Sequence, residues 1–192
     1  AAEGGGERQI RVELDIEKAK MRKLIGTKGE TIKNIQSHCA NVKLMTPGKD
    51  DASSDELRFV TVTLTGKAND VFKASKMIHD CCTACLAVCT SSIPPNFVSL
   101  LQRPRVQSIK QSIPVDNIFL PRKQDKNPKV VLEGYLEDVI KAYSFIIDEV
   151  VKADRELTKT RENRKLKEIS HKRMGGAEAS AVGAAAEGDD ER

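Results

Sequence analysis

The chain has no tryptophan, and only five Phe and two Tyr among its 192 residues. Stacked aromatic platforms, by which many single-strand binders hold bases, are therefore not its main device. No apolar run approaches the roughly 20 residues that a bilayer-spanning helix needs, so no membrane insertion is expected. No signal-peptide pattern opens the chain. Its first residue is Ala1 rather than Met, which reads as a fragment or a processed chain. Histidine is scarce, and neither His38 nor His171 has a nucleophile and an orienting third group nearby in sequence. Paired carboxylates are also missing, since Asp50 and Asp51 fall in a polar stretch and read as solvated. The chain is not expected to be an enzyme, and no cofactor is expected.

Cysteine is present in an odd number, five, which without a secretory signal argues for a reducing compartment. Cys81, Cys82, Cys85 and Cys89, with His79 beside them, raise the question of zinc. Cys82, Cys85 and Cys89 follow helical spacing and read instead as small buried apolar residues. Ligands strung along one continuous helix do not readily close a tetrahedron, so no metal is expected.

What is abundant is charge. The net value is only +4, but its distribution is uneven. Between positions 18 and 33 stand Lys18, Lys20, Arg22, Lys23, Lys28 and Lys33 against the single acid Glu30. A second basic stretch carries Arg155, Lys159, Arg161, Arg164, Lys165, Lys167, Lys172 and Arg173 against three glutamates. It reads either as a solvated helical face or as an added attraction for phosphates.

Hydrophobic periodicity organises the rest. Residues 1–8 form a Gly-rich lead-in. Ile10, Val12, Leu14 and Ile16 alternate, as a half-buried strand would. Residues 17–24 suit a short basic helix stopped by Gly26. Ile32 and Ile35 mark one face of a second helix. Val42 and Leu44 alternate in a second strand, residues 46–56 read as an exposed loop, and residues 59–64 as a β-branched third strand. Thr65-Gly66 is expected to turn the chain into a third helix, with Val71, Ala74, Ile78, Cys82 and Cys85 on one face.

The second half repeats the first. Residues 62–78 align without a gap on 130–146, with identities at Val62/Val130, Leu64/Leu132, Gly66/Gly134, Asp70/Asp138, Val71/Val139, Lys73/Lys141, Ala74/Ala142 and Ile78/Ile146. Chance would give about one, so an internal duplication is expected. Upstream, Leu24 pairs with Leu100, and Lys33 with Lys110 after a one-residue shift.

The sharpest motif is Gly26-Thr27-Lys28-Gly29. Glycine lacks Cβ, so its backbone can approach a phosphate closely and adopt positive φ. The loop feeds a helix N-terminus, where unpaired N–H groups favour an anion. Lys28 adds a mobile charge. Ile25, Ile32, Val42 and Leu44 offer an apolar floor for bases, and Lys43 a polar wall. A single strand, whose bases are free to turn inward, suits that combination.

The run Ile25-Gly26-Thr27-Lys28-Gly29-Glu30-Thr31-Ile32-Lys33-Asn34-Ile35, followed by Cys39-Ala40-Asn41-Val42-Lys43-Leu44, resembles the type I KH domain family. The resemblance covers residues 9–86. It implies that Gly26, Thr27, Lys28 and Gly29 contact phosphates, that Ile25, Ile32, Val42 and Leu44 line a base groove, and that Arg58 reads a base. Lys33 and Lys43 join this set, with Arg22 and Lys23 as secondary phosphate contacts. Residues 87–152 resemble a degenerate KH domain. Its loop, Gln102-Arg103-Pro104-Arg105, has lost both glycines, and Pro104 has no N–H to donate. Arg103 and Arg105 retain the charge for secondary phosphate contacts. Such closely joined repeats resemble the vigilin-like multi-KH RNA-binding proteins.

The expected fold is thus α+β: two tandem KH-like domains, each with three helices on a three-stranded antiparallel sheet. A basic helical extension is expected over 153–173, and a disordered acidic Ala/Gly tail over 174–192. The expected function is binding of single-stranded RNA, with single-stranded DNA as the chemical alternative, in post-transcriptional regulation in the cytoplasm or nucleus. The last step is family analogy. Two rivals are a KH-shaped protein-interaction scaffold, with partners held by the second copy, and an accessory subunit of a ribonucleoprotein or RNA-processing complex.

Overall fold

A computed structural model of the chain describes residues 8–46, 58–101, 104 and 109–178, with the backbone alone at 110 and 171–178. The chain divides into two compact units, residues 1–151 and 152–192.

In the first unit, β1 (Gln9–Glu17), α1 (Met21–Ile25), α2 (Glu30–His38), β2 (Lys43–Met45), β3 (Phe59–Lys67) and α3 (Ala68–Cys82) follow in that order. The order then repeats as β4 (Leu86–Ser92), α4 (Val98–Leu101), α5 (Ile109–Ser112), β5 (Asn117–Phe119), β6 (Lys129–Gly134) and α6 (Leu136–Glu178). The repeat of strand, helix, helix, strand, strand, helix is what a duplication produces.

The two copies do not keep separate three-stranded sheets. All six strands form one antiparallel sheet in the order β2-β3-β1-β4-β6-β5. The seam is β1 against β4, from Ile10↔Ser91 to Asp15↔Leu86. Taken alone, each copy would present a row of unpaired N–H and C=O groups on its first strand, and joining the two edges satisfies both rows. A sequence alignment cannot show this pairing, because each copy's hydrophobic pattern is complete without it.

Register shows how the copies relate. Ile10 faces Gly66 in the first copy and Ala87 faces Gly134 in the second, so Ile10 and Ala87 are equivalent. Val12 is then equivalent to Cys89, and these two face each other across the seam. The sheet therefore has an approximate two-fold axis through that pair. The same register matches Leu24 to Leu101, one residue beyond Leu100, and both side chains are fully buried.

Alternation sets the core. Ile10, Val12, Leu14 and Ile16 of β1, Val60, Val62 and Leu64 of β3, Ala87 and Cys89 of β4, and Val130 and Leu132 of β6 are buried on one face. Leu24, Ile35, Val71, Ala74, Ile78, Val139, Ala142 and Ile146 are among the buried helical residues. Phe72 of α3 meets Tyr143 of α6 edge to face at 5.1 Å, which joins the helical layers of the two copies.

Three local expectations change. Thr65 and Gly66 do not turn the chain. They continue β3, with Gly66 paired to Ile10, and α3 starts directly at Ala68. Glycine is needed there for closeness, since a Cβ would stand 2.7 Å from the Asn41 carbonyl oxygen. The third helix stops at Cys82, where Thr83 adopts φ 50° and the Ala84 N–H donates to His79 Nδ1 at 3.1 Å. Cys85 lies beyond the helix and Cys89 sits in β4, so their helical spacing was coincidental. Finally, residues 18–20 make a 3-10 turn, and only Met21–Ile25 of the basic stretch is α-helical.

Candidate nucleic-acid interface

The glycine loop is built by backbone conformation. The Gly26 N–H closes α1 on the Arg22 carbonyl at 2.9 Å. Gly26 then takes φ 71° and ψ −179°, a region that a side chain effectively forbids. Lys28 follows at φ 55° and Gly29 at φ 79°, both left-handed, and α2 begins at Glu30.

The two glycines are not equivalent. A Cβ on Gly26 would collide with Thr31 Oγ1 and lie 2.9 Å from the Thr31 backbone nitrogen. A Cβ on Gly29 would meet only Ile32 Cγ2, at 3.9 Å. Gly26 therefore fixes how the loop enters α2, while Gly29 supplies left-handed freedom at its N-cap. Thr31 packs against the first glycine, a role that sequence alone did not reveal.

Thr27 and Lys28 are exposed at the tip, and Gly26 and Gly29 are half-buried. An open depression of about 750 Å³ beside them is lined by Thr27, Lys28, Glu30, Lys33, Asn34 and Ser37. Glu30, Lys33, Asn34 and Ser37 recur at i, i+3, i+4 and i+7, which puts them along one stripe of α2. Asn34 and Ser37 were missed as candidates, although this polar stripe was available in the sequence. Arg22, Lys23, Lys28, Lys33 and Lys43 are exposed, and among the described residues none of them is ion-paired.

The predicted aliphatic residues take different positions. Ile25, at 44% exposure, is open apolar surface immediately before Gly26. Ile32 and Leu44 are half-buried. Val42 is buried and belongs to the core. None of the four lines the depression. Arg58 stands immediately before β3 with an exposed side chain. Its guanidinium carbon lies 5.6 Å from the Phe59 ring centre, and Nη2 lies 3.9 Å from Glu17. Phe59 and Glu17 are paired residues with side chains on the open face of the sheet.

The second copy offers less. Register makes Asn117 the counterpart of Lys43, so the wall loses its cation. Ile109, the counterpart of half-buried Ile32, is only 2% exposed. Pro104 is exposed, while Arg103 and Arg105 lie outside the described residues.

Burial keeps Cys39, Cys82 and Cys89 chemically quiet. Desolvation pushes the Cys89 thiol up to about 12, and the Cys39 and Cys82 thiols upward as well. Among the described residues, no group of three or more His, Cys, Asp or Glu side chains could hold a metal ion.

The family model for the KH domain matches residues 11–80, from within β1 to near the end of α3. This supports the KH reading of the first copy. The match ends before β4, so the kinship of the second copy rests on its repeated element order. No curated protein matches the chain. Among solved structures, the regulatory subunit of aspartate kinase from Thermus flavus is 11% identical and covers 73% of this chain and 97% of its own, with a TM-score of 0.28. A putative C-terminal regulatory domain of aspartate kinase from Porphyromonas gingivalis W83 is 16% identical and covers 75% and 93%, with a TM-score of 0.24. Likenesses this weak define neither the fold nor the activity. The KH match carries a coarser functional statement: it suggests that the first copy binds nucleic acid.

Proposed function

We propose that the first copy holds single-stranded RNA through the Gly26–Gly29 loop. The observation that carries this reading is the loop's conformation: positive φ at Gly26, Lys28 and Gly29, leading directly into the N-terminus of α2. Backbone N–H groups there meet phosphate oxygens, assisted by the helix dipole. Lys28 and Lys33 add charge at the same surface. Ile25 offers the nearest apolar contact for a base. The footprint is roughly four nucleotides, as for the KH family in general.

Sheet topology supports the use of one copy at a time. β2 and β5 are the two outer strands, with four strands between them. At about 4.8 Å per strand, these edges are about 24 Å apart. The two edges are therefore separate surfaces. The second copy serves to cover the β1 edge and complete the core, and it offers a surface for protein partners. The biological role that fits is post-transcriptional handling of mRNA in the cytoplasm, without catalysis.

The test is a filter-binding titration against a pool of mixed-sequence single-stranded RNA octamers, with the matching DNA pool alongside. Wild type should bind RNA, and a Thr27→Asp/Lys28→Asp variant should lose that binding. Equal binding by the two proteins sinks the proposal. Stronger binding to the DNA pool would transfer it to single-stranded DNA.

A further inference from the structure

The second unit poses a question that the glycine loop does not answer. α6 continues to Glu178, and every side chain from Asp154 to Ser170 is exposed. A helix with no buried face needs another source of stability or another partner. Here its composition, rich in Lys, Arg, Glu and Leu, favours helix intrinsically. Between 155 and 167 it carries Arg155, Lys159, Arg161, Arg164, Lys165 and Lys167 against Glu156 and Glu162. Among the described residues, none of these six cations is ion-paired.

Their spacing has a cost. Arg155 and Lys159, and Arg161 and Lys165, are like charges at i and i+4, each pair destabilising an isolated helix by about 0.2–0.5 kcal/mol. Glu156, Glu162 and Glu168, three or four residues from Lys159, Lys165 and Arg164, offset part of that repulsion, and a polyanion would relieve the rest. Arg161, Arg164 and Lys165, at i, i+3 and i+4, share one face and suit consecutive phosphates of a flexible strand. A base-paired RNA fits less well, because its deep, narrow major groove excludes side chains.

We propose that residues 155–167 form a second, sequence-independent contact with the phosphates of the RNA strand held by the first copy. The inference rests on the reading of that copy as an RNA clamp. The helical arm is tethered to the clamp, so its binding is intramolecular and adds affinity for long strands. It reads no bases, so it leaves base preference unchanged.

The experiment uses the full chain and an Arg161→Gln/Arg164→Gln/Lys165→Gln/Lys167→Gln variant. Glutamine keeps helix propensity while removing charge. Fluorescence anisotropy is recorded with mixed-sequence RNA of four and of twenty nucleotides across a salt series. For the 20-mer, the variant's log–log salt slope should fall by up to about 2.8, four phosphates at about 0.7 each, and its affinity by tenfold or more. Tetramer binding should not change. An unchanged 20-mer slope and affinity overturns the proposal, and so does an equal loss on the tetramer. If the arm binds a protein helix instead, wild type will self-associate or capture a helical partner with no change in RNA slope. A Lys28→Asp chain serves as the control for the clamp. If it retains tetramer binding, the clamp reading fails, whatever the arm does.

Discussion

Replacing each glycine of the loop by alanine should give unequal results. At Gly26 the backbone occupies a region essentially reserved for glycine, which costs a side chain about 1–3 kcal/mol. The added Cβ also collides with the Thr31 hydroxyl and comes within 2.9 Å of the Thr31 nitrogen, so the first turn of α2 must shift. Together these put the native loop conformation at a disadvantage of about 3 kcal/mol, or about 150-fold in its population. Apparent affinity falls by the same factor when only that conformation binds. At Gly29 the alanine meets nothing closer than 3.9 Å. It bears only the left-handed penalty, about 1 kcal/mol, or about fivefold. Anisotropy with a labelled pool of single-stranded RNA octamers measures both variants, and thermal melting checks that each remains folded. A Gly26→Ala/Thr31→Ala double variant should recover only part of the loss, because the backbone contact and the φ penalty remain. Equal damage at the two positions would refute the reasoning, as would a weaker effect at Gly26.

Other predictions follow from burial and charge. A thiol reagent should label Cys81 and Cys85 in the native protein, and Cys39, Cys82 and Cys89 only after unfolding; fast labelling of Cys89 would contradict its place on the β1–β4 seam. Stability should fall on the alkaline side. Cys89 titrates near 9 when unfolded and at about 12 when folded, so above pH 9 the unfolded chain releases a proton that the folded chain keeps. This group alone contributes a loss of up to about 1.4 kcal/mol per pH unit between 9 and 12. Urea melts of wild type and Cys89→Ala, compared across that window, isolate it; parallel curves would contradict the assignment. For RNA, Lys28→Ala should reduce the log–log salt slope by about 0.7, the value of one neutralised phosphate on a single strand.

How much of this was readable in the sequence depended on whether a feature was local. The first copy's strands and helices followed from alternation at Ile10 to Ile16 and from the Ile32–Ile35 spacing. The backbone conformation of the glycine loop was legible because Gly26 and Gly29 permit the positive φ found there. The recurrence of the element order was foreshadowed by the matched residues around Gly66 and Gly134. The joining of two sheets into one was not, because β1–β4 pairing is a backbone contact between residues far apart in sequence. Cys85 and Cys89 misled because helical spacing fits any short cluster, and the stop at Thr83 depends on one left-handed residue. The contacts of Arg58 with Phe59 and Glu17 were not legible, because they depend on the pairing of β1 with β3. The burial of Val42 was not legible, because alternation does not tell a buried residue from an exposed one.

The central claim is that one copy, through one loop, grips the strand. Ultraviolet crosslinking of the full chain to mixed-sequence single-stranded RNA, with each adduct mapped by mass spectrometry, tests it most directly. Adducts are expected on peptides containing Ile25 to Lys33, with further adducts along the arm at 155–167 and none at Asn117–Phe119 on the opposite edge of the sheet. Adducts concentrated on that opposite edge, with the glycine loop unmarked, would contradict it.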